Sequence, residues 1–233
     1  MRTEVSVVIP AHNIERTLAI VVSQVVDELR KFRKPYEIII AEDGSTDGTL
    51  RIAKSLSKKY DNIKVLSYKN RLGKGCALSN SLQKANGRLR IFIDGDYVDV
   101  AKHMPKMLEM LKTSDVVIGS RYKKSSNSKR LFIRLVVSKI YINLAKTFLS
   151  LPFSDMQCGF KGMNDSLTGV LSEVKSKDYF WDTEFLFKAR KNGNSIHEIP
   201  IDWVEKKSKH STSIVAHSFK FIKSLVKLRL GLL

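Results

Sequence analysis

Two carboxylates separated by one glycine, Asp94-Gly95-Asp96, follow directly on the apolar run 89–93. Oxygen donors of this kind suit Mg²⁺ or Mn²⁺, which takes one or two protein carboxylates and completes its shell with substrate phosphates. The same residues also suit an ordinary polar turn, because Asp and Gly are favoured there; on spacing alone both readings stand. A second acidic cluster runs from Glu42 to Asp47. Asp47 is explained as the N-cap of a helix whose apolar residues are Leu50, Ile52, Ala53 and Leu56. Asp43, ahead of Gly44 at a strand end, is placed to accept hydrogen bonds from a base or a ribose. Arg71-Leu72-Gly73-Lys74-Gly75 lacks the spacing of a P-loop, and no GxGxxG follows the first apolar run. His12, His103, His197, His210 and His217 have no metal-ligand spacing.

These clusters need strands to carry them. Short β-branched runs at 5–9, 37–41, 63–66, 89–93 and 116–118 read as five strands. Segments of helical length and spacing, 15–32, 47–59, 75–84 and 102–111, lie between them. The alternation predicts βαβ units and a mostly parallel sheet flanked by helices. Ligands of open α/β sheets bind beyond the carboxyl ends of the strands. The loops at Pro10-Ala11-His12-Asn13, at 42–45 and at 94–96 are therefore expected to converge.

Past residue 120 the alternation stops. Residues 128–150 are strongly apolar with two polar stripes nearly opposite each other, which predicts two helices or one helix whose buried face changes side. A last helix is expected over 217–230, with Lys220, Lys223 and Lys227 on one stripe. The 233 residues carry a formal net charge of +18, and 15 of those charges sit in the acid-free stretches 116–154 and 206–233. That concentration predicts a polyanionic partner met by two segments, both suited to lying on an anionic bilayer. With 43% hydrophobic residues the chain can bury a core, so a disordered basic tail is excluded. Two cysteines, Cys76 and Cys158, exclude a disulfide scaffold and a four-thiolate zinc site. No apolar stretch reaches spanning length and no signal peptide is evident, so a soluble or surface-bound intracellular protein is expected.

Seven blocks in order, VSVVIPAHN, EIIIAEDGSTDGT, NRLGKG, IFIDGDYVD, VVIGSRY, DMQCGFKGM and FWDTEFLFKAR, span residues 5–190. In this order they resemble family-two glycosyltransferases of GT-A fold. The later blocks, with Trp203 and Ser208-Lys209, look like the subfamily that transfers a sugar to dolichyl or another polyprenyl phosphate. The resemblance implies that Pro10, Ala11, His12, Asn13, Ala41, Asp43, Lys74, Asp94, Gly95 and Asp96 line the nucleotide-sugar pocket. It makes Asp94 and Asp96 the DXD pair that holds Mg²⁺ or Mn²⁺ on the donor diphosphate. It places the catalytic acids Asp182 and Glu184 near the sugar, and Arg121, Arg134, Ser138 and Lys209 at the acceptor phosphate. Several positions depart from the family pattern: His12 replaces a tyrosine, Ile14 a glutamate, Gly95 an alanine and Val98 a glutamine. Trp203, where mannosyl-type members often carry arginine, looks more like the glucosyl branch.

The expectation is an inverting transferase that moves mannose or glucose from a GDP- or UDP-linked donor to a polyprenyl phosphate. It would have a GT-A domain over 1–205, a membrane-facing amphipathic insert at 128–150 and a basic C-terminal segment at 206–233. It would sit peripherally on the cytoplasmic face of a membrane. An acceptor phosphate, with its second pKa about 6, is already anionic and needs no strong base. A transferase acting on a soluble or cell-wall glycan hydroxyl keeps the same donor site but needs an acidic base, for which Asp182 or Glu184 is available. A nucleic-acid module fits the charge, but the basic segments are interleaved with Leu, Ile and Val rather than with stacking aromatics.

Overall fold

The computed structural model describes residues 3–129, 132–204 and 214–233. In chain order the elements are β1 (Val5–Ala11), α1 (Leu18–Phe32), β2 (Tyr36–Asp43), α2 (Thr49–Lys59), β3 (Ile63–Tyr68), α3 (Lys74–Lys84), β4 (Leu89–Ile93), α4 (Met104–Met110) and β5 (Val116–Ser120). They are followed by β6 (Ser128–Lys129), α5 (Phe132–Leu149), β7 (Phe160–Asn164), α6 (Thr168–Glu173), α7 (Trp181–Lys191), β8 (Ile196–Pro200), β9 (Trp203–Val204) and α8 (Ile214–Arg229). All five expected strands form. The segment 128–150 is one helix preceded by a short strand, and the expected helix at 102–111 is a 3₁₀ turn, Val100–His103, followed by α4.

Seven strands make one sheet in the order β3-β2-β1-β4-β7-β5-β8, and β6 pairs with β9 separately. Neighbours run parallel except β7, which is antiparallel to both β4 and β5. The period-2 pattern sorts side chains to two faces. Val5, Val7, Ile9, Ile38, Ile40, Ile91 and Ile93 pack on one side with α1, α2 and α4. Val8, Ile39, Ala41 and Phe92 pack on the other with α3, α5, α7 and α8. β1, β2 and β4 are therefore mostly apolar along their length, because both of their faces are covered.

The strand order decides where the site lies. β1 sits between β2 and β4, with all three parallel, so their carboxyl ends open side by side. β7 runs the opposite way, and Phe160 at its start pairs with Ile93 at the end of β4. The loop that enters β7 thus arrives at the same rim as the loop that leaves β4. The N-cap of α2 is Gly48 rather than the expected Asp47, which lies one residue earlier and accepts the Thr49 N–H through Oδ1 at 2.9 Å.

Candidate active site

The first wall is built by the end of β1. His12 Nδ1 lies 2.8 Å from the backbone carbonyl of Asp43, so Nδ1 carries a proton and donates it there. Asn13 adopts a left-handed φ of 53°, and its side-chain oxygen accepts the Thr46 N–H at 2.8 Å. These bonds tie the 12–13 loop to the 43–46 loop. Asp43 is buried and faces away from solvent: its two carboxylate oxygens accept the N–H groups of Leu72 at 2.6 Å and Gly73 at 2.9 Å. In the structure Asp43 therefore shapes the 71–73 loop. Gly44, at φ 63°, passes under that loop, and a Cβ there would lie 2.8 Å from the Arg71 nitrogen.

The floor is an alternating chain of charges. Lys74, at the start of α3, lies 2.8 Å from Asp94 Oδ1 and 3.0 Å from Asp94 Oδ2. Its ammonium is also 3.6 Å from Asp182 Oδ2. Asp182 in turn is gripped through Oδ1 by Lys161, whose ammonium also donates to the Cys158 carbonyl at 2.5 Å. The Phe92 ring lies under both ammonium groups, 5.7 Å from Lys74 and 5.3 Å from Lys161. Burial pushes the Lys74 pKa down, but Asp94 and then Asp182 outweigh it, and the net shift is upward. Lys74 is thus held as a cation.

Asp94 is positioned from three sides. Its N–H donates to the Gly159 carbonyl at 2.8 Å, and its own carbonyl accepts the Tyr97 N–H at 2.9 Å. The Gly95 carbonyl accepts the Thr17 hydroxyl at 2.9 Å, and a Cβ at Gly95 would strike Ile14 Cδ1 at 2.3 Å. A side chain between the two carboxylates would therefore need Ile14 to move aside. Asp96 reaches solvent at the mouth. The walls around it and then the Asp94 charge raise its pKa, with Lys74 opposing. Two carboxylates at one strand end, one at the mouth and one inside, suit a hard cation that draws its remaining ligands from a diphosphate and water. Among the described residues no group of three or more His, Cys, Asp or Glu side chains could hold a metal by itself. A cation here would be shared with its substrate.

The two acids of α7 have separate tasks. Both are buried, at 1% exposure for Asp182 and 0% for Glu184. Glu184 turns from the cleft: its oxygens accept the N–H groups of Lys175 and Ser176, each at 2.9 Å, and Lys188 at 2.6 Å. Burial raises its pKa, but these bonds outweigh that and hold it below the ordinary value. Only Asp182 touches the chain of charges at the cleft.

The expected phosphate grip is not assembled from the described residues. Arg121 is bound to Asp155, with Nε 2.7 Å from Oδ2 and an Nη 2.8 Å from Oδ1, and its backbone N–H adds a bond of 3.0 Å. Its side chain is 11% exposed and lies over the Trp203 ring. Its fork is occupied by a buried carboxylate. Ser138 lies on α5, half-buried, while the Arg134 side chain and all of Lys209 fall outside the described residues. α5 is packed rather than membrane-facing along one side, with Ile142, Ala145 and Leu149 buried beside Leu225 and Leu228 of α8. No described helix is long and apolar enough to cross a membrane.

Spacing did not reveal Gly159, Lys161, Asp155 or Thr17 as site residues, although the first three lie in the block DMQCGFKGM. The one signal was a lysine and a glycine inside an apolar run, which is ambiguous until β7 is known to enter the rim.

Residues 6–169 match the family model described as Glycosyl transferase family 2. The chain is 34% identical over 208 residues to Glycosyltransferase AglD of Haloferax volcanii, covering 87% of this chain but only 33% of that protein. It is 28% identical over 250 residues to Dolichyl-phosphate beta-glucosyltransferase of Saccharomyces cerevisiae, covering 98% of this chain and 75% of that one. Its fold matches glucosyl-3-phosphoglycerate synthase from Mycobacterium tuberculosis in complex with Mn²⁺, UDP and phosphoglyceric acid. That match has a TM-score of 0.73 and 21% identity, and covers 99% of this chain and 79% of that one. Another crystal of that synthase holds Mg²⁺ and UDP.

The match confirms the expected α/β GT-A architecture. It also corrects the expected polyprenyl or dolichyl phosphate acceptor and the anionic membrane surface as partner. The synthase that shares the fold across nearly the whole chain is bound to phosphoglyceric acid, and Arg121, the one described cation of the expected grip, is neutralised by Asp155. Attachment to the cytoplasmic face of a membrane, expected from that acceptor and from the two basic segments, is not supported by the match either. From the match over residues 6–169, the chain belongs to glycosyl transferase family 2.

Proposed function

We propose that the chain transfers a hexosyl group from a nucleotide sugar, UDP-glucose in the first instance, to a hydroxyl of a small anionic acceptor. The observation that carries this reading is Asp182, a buried acid whose Oδ2 turns toward the cleft while Glu184 is engaged by backbone. A hydroxyl acceptor, unlike a phosphate, needs a group to take its proton. Asp182 is assigned that role, with Lys161 fixing its orientation through Oδ1.

Pro10, Ala11, His12, Asn13 and Ala41 line the nucleotide side, and Asp43 acts there through the 71–73 loop. Asp94 and Asp96 hold Mg²⁺ or Mn²⁺, as the ions bound with UDP in the synthase structures support. Bound there, such an ion would supply positive charge against that of the departing diphosphate. Lys74 adds a second positive charge to the same oxygens, a preorganised electrostatic contribution. An anionic acceptor is supported by Arg71 at the cavity of about 320 Å³ beside Lys74, where the other basic residue, Lys220, is paired with Asp178 at 2.7 Å, and by the phosphoglyceric acid of the synthase.

The test incubates the protein with UDP-glucose, Mn²⁺ or Mg²⁺, and in parallel phosphoglyceric acid, oligosaccharides and a polyprenyl phosphate, with products identified by mass spectrometry. A glucosylated hydroxyl compound is expected. Turnover with the polyprenyl phosphate and none of the hydroxyl acceptors would overturn the reading.

A further inference from the structure

The cleft carries a cation of its own at the place where a metal would bind. Lys74 touches both oxygens of Asp94, at 2.8 and 3.0 Å, and its side chain is 14% exposed. Asp182 and the rings of Phe92 and Tyr179 hold the ammonium from the other sides. From the mouth inward the order is Asp96, Asp94, Lys74, Asp182, Lys161, so that each inner carboxylate has an ammonium neighbour. Such pairing is what permits ionised groups at this depth, since an unpaired charge there is costly.

A divalent cation on Asp94 therefore meets an ammonium already bound to the same oxygens, and like charges at that distance repel strongly in a poorly solvated site. The conflict is relieved when Lys74 can turn to another anion. The diphosphate of a nucleotide donor, held by the same cation, would offer one.

We propose that Lys74 is a place-holder cation on Asp94: it disfavours metal binding by the protein alone and yields Asp94 only when metal and nucleoside diphosphate enter together. This rests on the assignment of Asp94 and Asp96 as the metal pair. Lys74 then couples the two ligands, so that each raises the affinity for the other. A lysine that served only to fill the floor would leave metal affinity unchanged on removal.

The experiment titrates Mn²⁺ by calorimetry and by its paramagnetic resonance signal, with and without UDP, into the wild-type chain, Lys74→Met and Lys74→Arg. Wild type is expected to bind Mn²⁺ weakly alone and more tightly with UDP. Lys74→Met is expected to bind Mn²⁺ alone at least about fivefold more tightly, the low end of usual site-to-site coupling, and to lose most of the gain from UDP. Lys74→Arg, which keeps the charge, is expected to stay near wild type. Equal Mn²⁺ affinity in wild type and Lys74→Met, while wild type binds Mn²⁺ with UDP, overturns the place-holder role alone. No Mn²⁺ binding to wild type even with UDP overturns the metal pair and the proposal with it. If Lys74→Met does not fold, a crystal structure of the unaltered chain with Mn²⁺ and UDP decides. An ammonium moved to the diphosphate supports the role, and one still on Asp94 beside the metal overturns it.

Discussion

Gly159 leaves no space beside Asp94: a β-carbon there would lie 2.0 Å from Asp94 Oδ2, while the Gly159 carbonyl accepts the Asp94 N–H at 2.8 Å. One residue both anchors the backbone of the strand end and clears the path of its carboxylate. Gly159→Ala is expected to displace that carboxylate from Lys74 and to destabilise the fold by about 1–3 kcal/mol, as overpacking does. Misplacing reacting groups by about 1 Å costs on the order of 10²-fold, so kcat/KM for the donor should fall by at least about tenfold. Steady-state rates and thermal melts check this. Unaltered rates and an unaltered melt would separate Gly159 from the site.

Asp96 has few structural duties because its side chain reaches solvent. Asp96→Ala should change stability by no more than about 0.5 kcal/mol, as surface substitutions usually do, while transfer of a radiolabelled sugar is abolished. Near-normal turnover would remove Asp96 from the metal pair.

The neighbours Asp182 and Glu184 should separate in rate rather than in stability, because Asp182→Asn also leaves the buried Lys161 without its carboxylate. Glu184→Gln breaks a buried pair with Lys188 and weakens the 175–176 anchorage, with an expected loss of about 3–5 kcal/mol of stability. Its rate per folded molecule should change little. Asp182→Asn should lower kcat by about 10²–10⁴-fold, the usual contribution of a positioned acid or base. Denaturant melts give the folded fraction by which kcat is corrected, and a larger loss of kcat in Glu184→Gln than in Asp182→Asn would exchange their roles.

Acid should destabilise the chain at the edge opposite the cleft. Glu37 accepts the Ser6 hydroxyl and the Asn86 N–H at 2.6 Å each, and pairs with Lys64 at 2.8 Å. Burial raises its pKa, but these partners outweigh burial and hold it below the ordinary value of 4.5. A carboxyl with a depressed folded pKa contributes stability that is complete above its unfolded value and is lost as pH falls through the folded one. Unfolding free energy should therefore decline below about pH 4.5. In Glu37→Gln this part of the decline should be absent. Parallel declines in both proteins would show that other groups carry it.

Much of the molecule was legible in the sequence because its strands are covered on both faces and so appear as mostly apolar runs. β1, β2 and β4, with their polar ends at His12, Asp43 and Asp94, could be placed at one rim from the alternation alone. β7 could not. Phe160-Lys161-Gly162-Met163 contains a fully buried lysine and a glycine, and both count against a strand until Asp182 is known to neutralise the one and Met107 and Leu111 to fill the space above the other. Arg121 was placed at the acceptor phosphate by the family resemblance, and only the loop that brings Asp155 back 34 residues later shows its charge already answered.

The sequence by itself determined which carboxylates stand at strand ends, the α/β order of the elements and the family, because these depend on local periodicity and on motifs read along the chain. The tertiary structure decided which charges remain available for chemistry. Burial makes every ionised group depend on a partner, and the partners of Lys74, Arg121, Asp182 and Glu184 come from other strands, loops and helix turns. Their roles could be assigned only once β7 and α7 had been brought against the ends of β1, β2 and β4.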